Sequence, residues 1–212
     1  MKLLIASRNK HKIDEIRAIL GIPGLELLSV ADIPDLPEVE EDGATFADNA
    51  AKKARELGCH SLCRASALWT LADDSGLEVD ALGGAPGVLS ARFADVHGDD
   101  AANNRKLLEK LSGVQNRGAQ FHCAVAVSAP DGRVWHTAGI CRGRILEAPR
   151  GVGGFGYDPL FVPDGYDKTF AELGGAEKNK ISHRAKALKE MAERLKIIFA
   201  QSANLIPQYE EP

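Results

Sequence analysis

Two apolar runs, Gln120 to Val127 and Val134 to Ile140, flank the turn Pro130-Asp131-Gly132, and that turn chemistry folds one run back against the other. An antiparallel hairpin of this kind excludes a purely parallel sheet. The rest of the chain alternates strands with helices. Lys2 to Ala6, Leu25 to Val30 and Leu68 to Ala72 read as strands, the third ending abruptly in Asp73-Asp74-Ser75-Gly76. Ile13, Ile16, Ile19 and Leu20 recur at helical spacing until Gly21 and Pro23 stop the helix. After a proline-rich, acidic loop at 31–43, Thr45-x-x-Asp48 resembles a capping box ahead of a helix carrying Phe46, Ala50, Ala54 and Leu57. Ala101 to Leu111 reads as helical. Ile181, Ala185, Leu188, Met191, Leu195 and Ile198 trace one face of a long last helix, with Ser182 as its N-cap. The expected fold is α/β: a mixed, twisted sheet flanked by helices, in one domain over residues 1–200 with a polar tail over 201–212.

Composition narrows the function classes. Hydrophobic residues make up 44% and charged residues 26% of the 212, ordinary for a soluble globular protein and wrong for a disordered regulator. A chain of this length buries roughly 70% of its unfolded surface, so it needs no disulfide or metal staple. Cys59, Cys63, Cys123 and Cys141 therefore read as reduced thiols; Cys59 and Cys63 are spaced C-x3-C with no second pair, which does not match a zinc site. No apolar run approaches the ~18 residues that span a bilayer, and the N-terminus turns polar at Ser7. The chain is expected to be cytoplasmic, with no membrane partner. Its net charge of −4 argues against nucleic-acid binding, although a small polyanion senses only local charge.

Local charge is where the sequence becomes specific. Helix N-termini favour acids, yet the first helix opens with Arg8, Lys10, His11 and Lys12, and the last with Lys178, Lys180, His183 and Arg184. Solvated basic faces would look the same; so would two sites that hold an anion with backbone N–H groups and cations together. Asp73 and Asp74 at a strand end, with Glu40, Glu41 and Asp42 in the loop before a helix, form either polar turns or hard-oxygen ligands for Mg²⁺ beside substrate phosphates. Gly151-Val152-Gly153-Gly154-Phe155-Gly156 matches G-x-G-x-x-G, but Tyr157-Asp158-Pro159 follows where a dinucleotide site needs a helix. That loop suits either a flat base stacking on Phe155 or a buried phenylalanine in a tight turn. No G-x-S-x-G elbow or P-loop pattern is present, and Cys123 sits inside an apolar strand as a packed thiol would.

Taken together, these segments resemble the inosine triphosphate pyrophosphatase family. Ser7-Arg8-Asn9-Lys10-His11-Lys12 is similar to its [ST]-x-N-x-x-K opening. Glu41 to Phe46 with Asn49-Ala50 and Lys53, Ala72 to Leu77 with Gly83 to Gly87, Gly153 to Pro159, and Ser182-His183-Arg184 resemble its later blocks, in family order. The resemblance implies an elongated α/β subunit in a homodimer and Mg²⁺-dependent hydrolysis of dITP, ITP or XTP to the monophosphate and pyrophosphate. By the same resemblance Asp74 is the general base and, with Glu41, holds Mg²⁺. Ser7, Arg8, Asn9, Lys10, His11, Lys12, Lys53 and Lys178 hold the triphosphate. Ser75, Phe155, Gly156, Tyr157, Asp158, His183 and Arg184 line the nucleoside pocket. Side-chain chemistry alone leaves Asp73 and Asp74 equivalent as the base. Arg8 stands where many relatives carry glycine, and the 58–69 connection is individual to this chain. Two rivals remain: a Maf-like pyrophosphatase for other nucleotides, and a nucleotide sensor without turnover.

Overall fold

A computed structural model describes residues 1–33 and 35–203. Six strands, β1 (Lys2–Ile5), β2 (Glu26–Ser29), β3 (Trp69–Val79), β4 (Gly118–Ser128), β5 (Val134–Ile145) and β6 (Phe161–Pro163), form one sheet in the order β2-β1-β3-β4-β5-β6. β1 runs parallel to β2 and β3, and every later pairing is antiparallel, so the sheet is mixed. The β4–β5 hairpin closes where the turn residues predict: the Gly132 N–H donates to the Ala129 carbonyl at 2.9 Å, with Gly132 at φ +88°. Pairing then extends well past the two apolar runs, from Ser128↔Val134 out to Gly118↔Arg144.

The long β4 also corrects the reading of β3. Asp73-Asp74-Ser75-Gly76 does not end that strand; it sits mid-ladder, with Asp73 opposite Val125 and Gly76 opposite His122. Polar residues that read as a turn stay in the strand because a full-length antiparallel neighbour pairs their backbone, cations pair the Asp73 carboxylate, and Asn49 and the Ser75 N–H bond that of Asp74.

Among the described residues six α-helices pack around the sheet: α1 (Lys10–Ile19), α2 (Phe46–Cys59), α3 (Ser61–Ala65), α4 (Asp100–Lys110), α5 (Phe170–Ile181) and α6 (His183–Ala203). The period-2 alternation of β1 divides two cores. Leu3 and Ile5 join Ile16, Leu71, Leu188 and Met191 under α1 and α6, while Leu4 joins Phe46, Ala50, Ala54 and Ala72 under α2. A third core, with Leu77, Phe121, Tyr157, Phe161 and Phe170, fills the far end of β3 and β4.

Ser182 caps α6 as expected, its Oγ accepting from the Ala185 N–H at 3.1 Å. The charge reading around it changes, because Lys178 and Lys180 lie in the last turn of α5, not at the start of the final helix. A helix C-terminus favours cations, so those two lysines obey the dipole rule. α6 continues through Ala203, past the predicted start of the tail; residues 204–212 lie outside the described residues. None of the four cysteines is paired. No helix among the described residues is long and apolar enough to cross a membrane.

Candidate active site

A cleft of about 590 Å³ opens where β1, β3, α1, α2, α5 and α6 converge. Its lining includes Ser7, Arg8, Asn9, Lys12, Glu41, Lys53, Asp74, Ser75, Phe155, Gly156, Tyr157, Asp158, Lys178, His183 and Arg184. Two of the residues grouped with these by sequence, Lys10 and His11, do not line it: Lys10 is exposed, and His11 lies over the outer side of Phe155.

At one wall, the turn after β1 feeds α1. Asn9 caps that helix, its Oδ1 accepting from the Lys12 N–H at 3.2 Å, and no acid occupies the first turn. Arg8 donates to the Leu36 carbonyl at 2.9 Å, which ties the acidic loop to the cleft rim.

Alternation along β3 separates the two adjacent aspartates. Asp73 faces α1 and α6 and is fully buried, its Oδ2 accepting from Arg184 Nε at 3.1 Å and Nη2 at 2.9 Å, with Lys12 Nζ 3.3 Å away. Burial pushes its pKa up, but the Lys12, Arg184 and Lys53 charges outweigh that and hold the carboxyl far below the usual aspartate range. Asp74 faces α2. Its Oδ2 accepts from Asn49 Nδ2 and its Oδ1 from the Ser75 N–H, both at 2.9 Å. Here burial dominates: it raises the Asp74 pKa despite Lys12 and Lys53, and the Glu41 charge raises it further. One carboxylate is locked in ion pairs, whereas its neighbour lines the cleft with an affinity for a proton.

Lys53 stands between them on α2. Its ammonium donates to the Asp73 carbonyl at 2.6 Å and to Glu41, whose pKa is lowered because the Lys53 charge outweighs burial. Asn49, one turn earlier on α2, is 1% exposed and accepts from the Gly43 N–H at 2.7 Å. With its oxygen fixed by a backbone donor, its NH₂ must face Asp74, so the amide has one orientation.

The opposite wall holds a buried charge chain. Asp158 pairs with Lys178, Lys178 with Glu15 at 2.9 Å, Glu15 with Arg184, and Arg184 with Asp73. Arg184 also donates to Ser75 Oγ at 2.7 Å. Glu15 was invisible to sequence reasoning, being one acid on an amphipathic helix; its only signal is its place one turn after the basic residues that open α1. His183 is buried and stacks on Phe121 at 4.7 Å. Burial and the Arg184 and Lys178 charges hold its pKa well below the ordinary value, so it is neutral and adds no positive charge to the helix start.

The glycine-rich loop opens no helix. The Gly156 N–H donates to Asp100 Oδ2 at 2.6 Å and its carbonyl accepts from Asn104 Nδ2 at 2.9 Å, which pins the loop to the start of α4. At Gly154, with φ +74°, a Cβ would collide with the Asp158 carboxylate. Tyr157 is buried and donates its hydroxyl to the Ser90 carbonyl at 2.9 Å. Phe155 is half-buried and presents its ring beside Lys178, whose Nζ lies 4.4 Å from the ring centroid. Glu40, from the same acidic loop as Glu41, lines the cleft as well; Pro37 to Val39, Arg92 and His97 also line it, and no motif singled them out.

The pattern that defines the Ham1 family matches residues 3–194. This chain belongs to the Ham1 family. It is similar to the dITP/XTP pyrophosphatase of Desulforamulus reducens, with 50% identity over 94% of this chain and 98% of that one. Among solved structures it is similar to the Staphylococcus aureus Ham1 protein, at 38% identity and a TM-score of 0.81 over 93% and 100% of the two chains. It is also similar to a nucleoside-triphosphatase, dITP/XTP pyrophosphatase, from Mycobacterium abscessus, at 45% identity and a TM-score of 0.70 over 93% and 98%. The five sequence blocks that resemble the family thus sit inside the matched region, and most of them converge on the cleft.

Proposed function

We propose that the protein hydrolyses non-standard purine nucleoside triphosphates (dITP, ITP, XTP and dXTP) to the monophosphate and pyrophosphate, with Asp74 as general base. The observation that carries this reading is the contrast between the two aspartates. Asp73 is neutralised by Lys12 and Arg184, while Asp74 is buried, raised in pKa and turned to the cleft. Each Asp74 oxygen keeps a lone pair beyond the bond it accepts, so it can take a proton from a water whose oxygen attacks the α-phosphorus while the bond from that phosphorus to the α,β-bridging oxygen breaks. Pyrophosphate then leaves with the bond electrons into a field of Lys12, Lys53 and the α1 N-terminus, with Ser7 and Asn9 at the same turn.

The donor set fits Mg²⁺. Glu41 and Asp74 line one space and repel one another electrostatically, and among the described residues no group of three or more His, Cys, Asp or Glu side chains is disposed to hold a metal. Two carboxylates completed by substrate phosphates and water suit that ion. When bound, Mg²⁺ neutralises phosphate charge and polarises the scissile bond.

Phe155 supplies a wall for the base; Lys178, which the resemblance groups with the triphosphate residues, and Arg184 lie over its ring, with Nζ and Cζ 4.4 Å and 5.9 Å from the centroid, and bring donors to the base site beside the acceptor Asp158. A 6-keto purine presents an acceptor to those donors, whereas a 6-amino purine presents a donor and leaves a buried donor unmatched. The enzyme works on free nucleotides in the cytoplasm, as a homodimer, without nucleic-acid or membrane partners.

Pyrophosphate release from dITP, XTP, dATP, dGTP and dUTP, with and without Mg²⁺, tests the reading. Release confined to dITP and XTP and lost on chelation is expected. Activity centred on dUTP would move the protein to Maf-like chemistry, and tight binding without release would make it a sensor. In the Asp74→Asn variant, turnover should fall by several orders of magnitude while dITP binding persists, and near-normal turnover would remove Asp74 as base.

A further inference from the structure

Phe155 is covered in this structure. His11, the second residue of α1, lays its imidazole over the ring, with centroids 5.2 Å apart and planes 8° from parallel. Sequence grouped His11 with the phosphate-holding residues, but only Lys12 of that adjacent pair reaches the cleft, 3.3 Å from Asp73. The helix itself separates them: successive residues point about 100° apart around the axis, so the two side chains serve different ends of the cleft.

The imidazole is held lightly. It is exposed, and no hydrogen bond or ion pair to another described residue anchors it. A purine between two stacked rings needs roughly 7 Å between their planes, two van der Waals layers of about 3.5 Å each. The observed 5.2 Å between centroids admits none, so a base that docks on Phe155 must first lift His11.

Resting on the reading of Phe155 as the wall for the base, we infer that His11 is a specificity residue of the cleft. Its imidazole covers Phe155 in the free enzyme; lifted by an incoming purine, it closes on the other face of the base as the second wall of a stacking slot. The exchange is favourable because a two-ring base offers each aromatic a larger stacked face than histidine and phenylalanine offer one another. The slot therefore favours purine nucleotides over bare polyphosphate chains and one-ring bases.

The test compares the KM for dITP with the inhibition constant of inorganic tripolyphosphate in the wild type, His11→Ala, His11→Phe and Phe155→Ala. His11→Ala should raise the dITP KM about three- to tenfold, the loss of one stacked face, and leave tripolyphosphate inhibition unchanged. His11→Phe, which keeps a flat ring, should restore the wild-type KM. Equal weakening of both ligands would return His11 to the phosphate site. A lower dITP KM in His11→Ala would make the imidazole a competitor of the base, and no change would deny it any role; each of these overturns the inference. Phe155→Ala keeps the two readings apart. If it weakens dITP and tripolyphosphate alike, the base wall itself is misplaced; if it is selective for dITP while His11→Ala is not, only the role of His11 fails.

Discussion

Asn49 shows how one buried amide organises two acidic segments. It accepts from Gly43, two residues beyond Glu41, and donates to Asp74, so it fixes the loop that carries one proposed metal ligand against the strand that carries the other. Groups that hold ligands in this way typically govern metal affinity or activity by about 10- to 100-fold. Asn49→Ala is expected to lower kcat by about that factor and to raise the Mg²⁺ concentration for half-maximal rate, with the dITP KM little changed. Titrating the variant with Mn²⁺ and reading binding by electron paramagnetic resonance checks the second effect apart from turnover. The block around Asn49 was visible in the sequence, but its hydrogen bond was not, because Asp74 lies on a different element and its orientation depends on which face of β3 meets α2.

The decisive contact between elements is that of β5 with α6. Gly139 lies under the start of α6, where a Cβ would meet the His183 carbonyl and would come 2.7 Å from the Ala187 nitrogen. Backbone atoms cannot give way as a flexible side chain would, so Gly139→Ala must push α6 off the sheet. A cost of about 1–3 kcal/mol is expected, typical of overpacking. Urea unfolding should show the lower midpoint, and dITP turnover should fall with it because Arg184 rides on the same turn. Ser182 as N-cap and the β4–β5 hairpin were legible from local chemistry, since a cap and a turn are settled within a few residues. The length of β3 was not: its Asp73-Asp74-Ser75-Gly76 segment reads as a turn until β4 pairs with it.

Across the whole molecule, acid stability follows from two buried groups of opposite type. His183 is held neutral with its pKa below the ordinary value, so between the unfolded value near 6.5 and its folded value the unfolded chain binds the extra proton. Its stabilising effect is complete above that unfolded value and is lost as pH falls, by up to about 1.4 kcal/mol per pH unit. Asp73, whose pKa is depressed, likewise stabilises above an unfolded value of about 3.9 and loses that contribution as pH falls further. Denaturant midpoints are therefore expected to be flat at neutral pH, to decline from about pH 6, and to steepen below about pH 4. The decline near pH 6 should shrink in His183→Gln. A pH dependence between 7 and 5 that is the same in the wild type and in His183→Gln would show that His183 is not held neutral in the fold.

Periodicity, turn residues and the spacing of charged blocks determined that this chain forms a mixed α/β sheet with a long C-terminal helix, and marked most of the residues that meet in its cleft. Those signals are local, and local signals survive without knowledge of the fold. Tertiary structure alone decided that Asp73 is locked in ion pairs while Asp74 faces the cleft, that Glu15 bridges Lys178 and Arg184, that His183 is neutral and that His11 covers Phe155. Each depends on groups far apart in the chain meeting where water is excluded, and the strength and sign of such interactions are set by burial and partners, which no stretch of sequence carries by itself.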